Sequence, residues 1–304
     1  MLSSDYCSYF VLSPVRTILE PLIVPALLLA YLPQYVETWR YGTAGISGRF
    51  MLCLCLCSTL QLAARLVNPA GAPAVNCILY REELRGIKAF SALIGYFQVL
   101  SQWLCAMIWL YFFLRFRNSE RDAEYAPLLA NEDGSRHAQD NESSARTSAV
   151  PRGMSSDQMF FVVFAHAFFF LGTAIGLLVA PKASGLRGPA DGVLQSLCTY
   201  VFHLLCIWLG LVQVIALCVA QVRDAWTSPR AKGISILSLA LQVAALLALA
   251  VLQLFRPRAP LLPSWRTEFW GKFFEHWALS ANYCIMVIGH VVALFIRAFP
   301  PYRG

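Results

Sequence analysis

Seven stretches of the chain, at 15–36, 48–67, 89–115, 158–180, 193–220, 233–255 and 273–298, are predominantly apolar. Each spans about the 20 residues that a helix needs to cross the hydrocarbon core of a bilayer. Lipid offers no partner for a bare backbone N–H or C=O, so only helices or closed barrels can span it. The runs are continuous and do not alternate as barrel strands do, which leaves helices. Across the 304 residues, 58% are hydrophobic and 13% charged, a balance that no single water-soluble core accommodates. The expected fold class is an all-α polytopic membrane protein with seven transmembrane helices.

The first run follows Ser3, Ser4 and Asp5 and lacks the basic leader of a secretory signal, so it is expected to remain as a span. Of the ten cysteines, eight fall inside predicted spans, where they read as small packing residues. Cys7 and Cys77 lie outside them, and a disulfide between the two is chemically allowed if they face the non-cytosolic side. Residues 117–157 are rich in Ser, Asn, Glu, Asp and Arg, and read as a disordered linker that parts the helices into three and four. The expected organisation is a three-helix unit over 1–116, the linker over 117–157, a connector helix with its loop over 158–192, and a second three-helix unit over 193–304.

A repeat supports that division. Pro33-Gln34 is followed by Glu37, Trp39 and Gly45-Ile46-Ser47, and Ala220-Gln221 by Asp224, Trp226 and Gly233-Ile234-Ser235. Glutamine, acid and tryptophan recur at one constant offset, and the Gly-Ile-Ser triplet follows after one inserted residue. The pattern resembles the PQ-loop family of seven-helix membrane proteins, in which Pro-Gln closes one helix and Gly-hydrophobic-Ser opens the next. Its members include cystinosin-like exporters, SWEET sugar carriers and the KDEL receptor. The second copy departs from the family in carrying Ala220 where proline is usual. The resemblance implies two three-helix repeats joined by a connector, a solute path between them, a lumenal N-terminus and a cytosolic C-terminus. The basic residues alone are divided too evenly between the two sides to fix orientation.

The motif residues have definite chemistry. Pro33 lacks a backbone donor and crowds the carbonyl one turn back, so it is expected to bend or open the helix as a hinge. Gln34 and Gln221 carry amides that can gate the path or cross-link helices. Ser47 and Ser235 are placed to cap the helices that follow, and Gly45 and Gly233 to supply unusual backbone geometry. Polar groups inside spans are costly and mark function or helix pairing. Gln98, Gln102, Asn282 and Tyr283 are therefore candidate solute-binding residues, with the last helix's Asn282 favoured by the resemblance. Glu20, His203 and His290 are candidate proton carriers, although Glu20 lies four residues after Arg16 and the two can pair on one helix face.

Within the linker, Glu124, Tyr125, Leu128 and Leu129 fit short acidic dileucine and tyrosine signals, which points to a vacuolar or lysosomal membrane. The function expected from these readings is alternating-access transport of a small polar metabolite, with an amino acid favoured and a non-transporting receptor as the alternative. The expected partners are the lipid bilayer, a small-molecule solute, protons and cytosolic sorting adaptors, with no nucleic acid. No cofactor, metal or enzymatic activity is expected, because the candidate groups are scattered singly and no paired acids or nucleophile-base pair occurs.

Overall fold

The computed structural model describes the backbone of residues 11–42, 45–67, 78, 85–132, 156–179, 189–227, 234–255 and 278–300. Side chains are described for 11–42, 45–67, 78, 85–116, 157–175, 201–227, 234–255 and 278–300. Among these residues there is no strand, and seven helices are long and apolar enough to cross a membrane. The chain is an all-α, seven-helix membrane protein. We number the helices α1 (Pro14–Tyr41), α2 (Gly48–Leu66), α3 (Ile87–Glu132), α4 (Ser156–Val179), α5 (Pro189–Thr227), α6 (Ile236–Leu254) and α7 (Ala278–Ala298).

The surface inverts the pattern of a soluble protein. Outward positions are apolar, such as Leu29 and Val36 on α1, Phe160 and Phe164 on α4, Val212 and Val219 on α5 and Phe295 on α7. The amides are inside: Gln34, Gln61, Gln98, Gln102, Gln242, Gln253 and Asn282 are all buried. That distribution suits a hydrocarbon solvent, in which apolar side chains face lipid and polar groups must find one another.

Packing follows a simple exchange. α1 and α2 each pack on α3, α5 and α6 each pack on α7, and the two sets meet where α1 packs on α6 and α2 on α5. Substituting α5 for α1, α6 for α2 and α7 for α3 maps this pattern onto itself. α4 packs on α2, anchored by His166. Its Nε2 lies 2.7 Å from Thr59 Oγ1, which also accepts from Trp103 Nε1 at 3.1 Å, while its Nδ1 lies 2.7 Å from Val162 O. One neutral tautomer satisfies every atom: Thr59 donates to Nε2, and the Nδ1–H donates to Val162 O.

α5 and α7 approach each other closely at Gly289 of α7. A Cβ there would lie 2.6 Å from Cys218 Sγ and 3.3 Å from Cys218 Cα on α5. Hydrogen of glycine is what lets the two backbones meet. Gly289→Leu is expected to force α5 and α7 apart, cost about 1–3 kcal/mol from overpacking, and lower the apparent melting temperature of the detergent-solubilised protein. Cys218→Ala in the same chain removes the nearest atom and should restore part of that loss.

Pro33 lies inside a continuous α-helical stretch, Ile23–Tyr41, and the irregular turn falls earlier, as a 3-10 turn over Glu20–Leu22. A proline removes one donor, and the helix beyond it is held laterally by Trp39, packed edge-on to Phe112 and Phe116 of α3 with the Arg115 guanidinium 4.9 Å from its ring centre. The left-handed Gly42, at φ 62°, then ends it. α3 continues as helix to Glu132, past residue 117 where the linker is expected to begin. Ten of the residues 117–132 are Arg, Glu, Ala or Leu, good helix formers that extend a running helix without a new nucleus, against which Pro127 removes one donor. The remainder of the expected linker and the Cys7–Cys77 pair lie outside the described residues.

Candidate functional site

The repeated motifs lie together at one end of the bundle, and their polar groups are exchanged between the two sets of helices. Ser47 caps α2 by accepting from Phe50 N at 3.2 Å, and Ser235 caps α6 by accepting from Ser238 N at 3.2 Å, as their spacing predicts. Gly45 supplies the expected left-handed turn before α2, at φ 63°. Each cap's own N–H is then taken from across the molecule. Ser235 N donates to Gln34 Oε1 of α1 at 3.1 Å, and Ser47 N donates to Asp224 Oδ2 of α5 at 2.8 Å. A carboxylate at a helix start also meets the positive end of its dipole. Gln34 is held in position by its amide, which donates to Thr38 Oγ1 at 3.1 Å. Arg297 of α7 interacts electrostatically with Asp224. Gln221 is buried at this end, and its Oε1 has no hydrogen-bond partner among the described residues.

Deeper in the bundle, α2, α3 and α7 bring buried polar groups to one place. Ser58 and Gln61 lie on one face of α2, and Asn282, Tyr283 and Met286 on one face of α7, by their spacings of three and four residues. The amides of Gln61 and Gln102 converge on Met286 Sδ, at 3.7 and 3.6 Å. Gly210 of α5 leaves room for Asn282, whose Nδ2 would stand 3.5 Å from a Cβ at that position. Among the described residues, Ser58 Oγ, Gln61 Oε1, Gln102 Oε1, Asn282 Oδ1 and Tyr283 OH are all buried and unbonded. A buried acceptor without a donor costs about 1–3 kcal/mol. Three of these oxygens belong to amides and only accept, and the two hydroxyls can also donate.

The opposite end is closed by a second network. Arg16 pairs with Glu20 at 2.7 Å and donates to Leu252 O at 3.0 Å and Phe255 O at 2.6 Å, the terminal carbonyls of α6. A cation there satisfies groups that a helix end otherwise leaves open. Gln98 donates to Glu20 O at 3.0 Å and accepts from Gln253 Nε2 at 3.2 Å. The central region is thus enclosed between two layers of polar contacts, each joining α1 to α6.

Of the sequence candidates, Gln102, Asn282 and Tyr283 come together in the central region, whereas Gln98 belongs to the closing network one turn away. Glu20 takes the local pairing with Arg16. His203 directs Nδ1 to Ala64 O at 3.0 Å, across the α2–α5 contact. His290 lies between Met286 O and Gln242 Oε1. The side chains of Glu124, Tyr125, Leu128 and Leu129 are outside the described residues. Ser58, Gln61, Gln242 and Gln253 were not singled out from sequence, although each is a polar residue in an apolar run, the signal that singled out Gln98 and Gln102. Comparison of the chain with protein-family models, curated proteins and solved structures finds no match.

Proposed function

We propose that this chain is a PQ-loop-type transporter that moves a small polar metabolite, with an amino acid as the favoured class, by alternating access. The observation that carries the reading is the reciprocal exchange at the motif end. Gln34 of the first repeat holds the α6 cap, and Asp224 of the second holds the α2 cap. Contacts made only between halves are the ones that rocking would break and remake, while each three-helix unit keeps its own packing. The unbonded oxygens of Gln61, Gln102, Asn282 and Tyr283 lie between the two closing layers, where an alternating-access carrier holds its solute. The test is uptake of a panel of amino acids and sugars into proteoliposomes, with and without a pH gradient. Saturable uptake of one class supports the reading. Saturable binding without uptake would replace it with the receptor alternative.

Orientation and address belong to the same proposal. The motif end, with both repeated loops and the C-terminus, faces the cytosol, and the N-terminus faces the lumen of a vacuole or lysosome. Sorting adaptors then have access to Glu124 through Leu129. Asn141-Glu142-Ser143 is the chain's one Asn-x-Ser/Thr sequon. In this orientation it is out of reach of the lumenal transferase. Treatment of the expressed protein with an N-glycosidase is expected to leave its mobility unchanged; a glycan on Asn141 would invert the topology and remove the sorting signal.

A further inference from the structure

We propose that His290 is the binding site of a coupling proton, and that its protonation state sets the contact between α1 and α6. The inference follows from the direction of one chain of hydrogen bonds. Ser238 Oγ lies 2.6 Å from Ala30 O, and a carbonyl only accepts, so the single hydroxyl proton of Ser238 is committed there. Gln242 approaches Ser238 Oγ at 2.9 Å, so it must present its NH₂ to that oxygen. Its other amide atom, the carbonyl Oε1, therefore faces His290 Nε2 at 2.9 Å. His290 Nδ1 faces Met286 O at 2.8 Å, a second carbonyl. Both ring nitrogens meet acceptors, and only the imidazolium donates from both. His166 is the internal contrast, since its network closes with a neutral ring.

A neutral ring protonated on Nε2 would set its bare Nδ1 lone pair against Met286 O at 2.8 Å, and a neutral ring that keeps Nδ1–H requires the whole chain to reverse. Gln242 must turn its NH₂ toward Nε2, Ser238 must turn its hydroxyl to the amide oxygen, and Ala30 O loses the donor that ties α6 to α1. The proton leaves from Nε2 and the ring keeps Nδ1–H on Met286 O. Ser238 is also the residue whose N–H is capped by Ser235, and Ser235 N is held by Gln34, so the relay runs into the motif-end closure. On the other side, Met286 is the residue whose sulfur meets Gln61 and Gln102 of the central region.

The surroundings permit a titration of this one group. His290 is 2% exposed. α6 presents it no titratable side chain. α5 offers Cys218, whose thiol is bonded to Ile285 O, and Asp224, held by Ser47 N and beside Arg297. Its own helix adds Tyr283 and Arg297. With no carboxylate against the ring, the imidazolium is held by two carbonyl dipoles through charge-assisted bonds, an arrangement that a modest change can tip.

Coupling to flux rests on the transporter reading, but protonation does not, and the experiment reads protonation. The purified full chain in lipid nanodiscs, with ¹⁵N-labelled histidine, is titrated by NMR over roughly pH 4–8 as wild type, His290→Gln and Ser238→Ala. A parallel pulsed-EPR measurement follows labels on α1 and α6 at the motif end. We expect one buried histidine with both nitrogens protonated at the acid end, its signal absent in His290→Gln. In Ser238→Ala the amide of Gln242 is free to turn and favour the neutral ring, so the midpoint should fall by about one pH unit, a tenfold loss of proton affinity. The α1–α6 distance should lengthen on deprotonation in the wild type and stay constant in His290→Gln. A ring that stays neutral throughout the range, or an unchanged midpoint in Ser238→Ala, would overturn the proposal. If His290→Gln fails to fold, Ser238→Ala alone decides it.

Discussion

Asp224→Ala is expected to lower solute flux by tenfold or more while leaving the amount of inserted protein close to wild type. The carboxylate does two things at once: it accepts from Ser47 N at 2.8 Å and interacts with Arg297 of α7. A hydrogen bond to a charged group contributes roughly 1.5–3 kcal/mol, and its loss here falls on a contact between halves and not within one. Insertion depends on the apolar area of the spans, which this substitution leaves untouched. Gln34→Ala removes the reciprocal contact and should act in the same direction with smaller size, because its bond to Ser235 N is between neutral groups. Gln221→Ala should reduce flux less again. Uptake normalised to the monodisperse protein peak measures all three. Wild-type flux in Asp224→Ala and Gln34→Ala would remove the motif exchange from the mechanism.

The second large effect is expected at Asn282. Asn282→Ala should weaken solute affinity by at least tenfold, about 1.4 kcal/mol, with little change in thermal stability, because Asn282 Oδ1 has no bond to lose among the described residues. Ser235→Ala is the matched control. It removes a helix cap worth about 1 kcal/mol, so it should lower stability and leave affinity nearly intact. Affinity changes of equal size in the two variants would return Asn282 to helix packing.

The sequence makes the spans legible because lipid imposes a hard rule: every backbone group must be satisfied within its own helix, so length and apolarity suffice to find them. The doubled motif was legible for a similar reason, since Ser47 and Ser235 act locally, three residues from the N–H groups they accept. What the motifs hold was not. The partner of Gln34 lies 201 residues away and that of Asp224 lies 177 away, and no local pattern records such pairings. Gln98 and Gln102, one helical turn apart, read alike in sequence yet fall into different networks, because depth along α3 decides which helices surround each. Asp224 lies inside α5 and reaches the start of α2, a contact that its place in the motif does not announce.

Two three-helix halves that rock about an enclosed site must open one closing layer as the other holds. Distances at both ends of one chain test it most directly. Spin labels at the exposed positions Val36 and Leu237 report the motif end, and labels at Val15 and Leu254 report the opposite end. Pulsed EPR in nanodiscs, across pH and with the solute found by uptake, should give two populations in which lengthening of one pair accompanies shortening of the other. Pairs that stay fixed under every condition, or that lengthen together, would contradict the account.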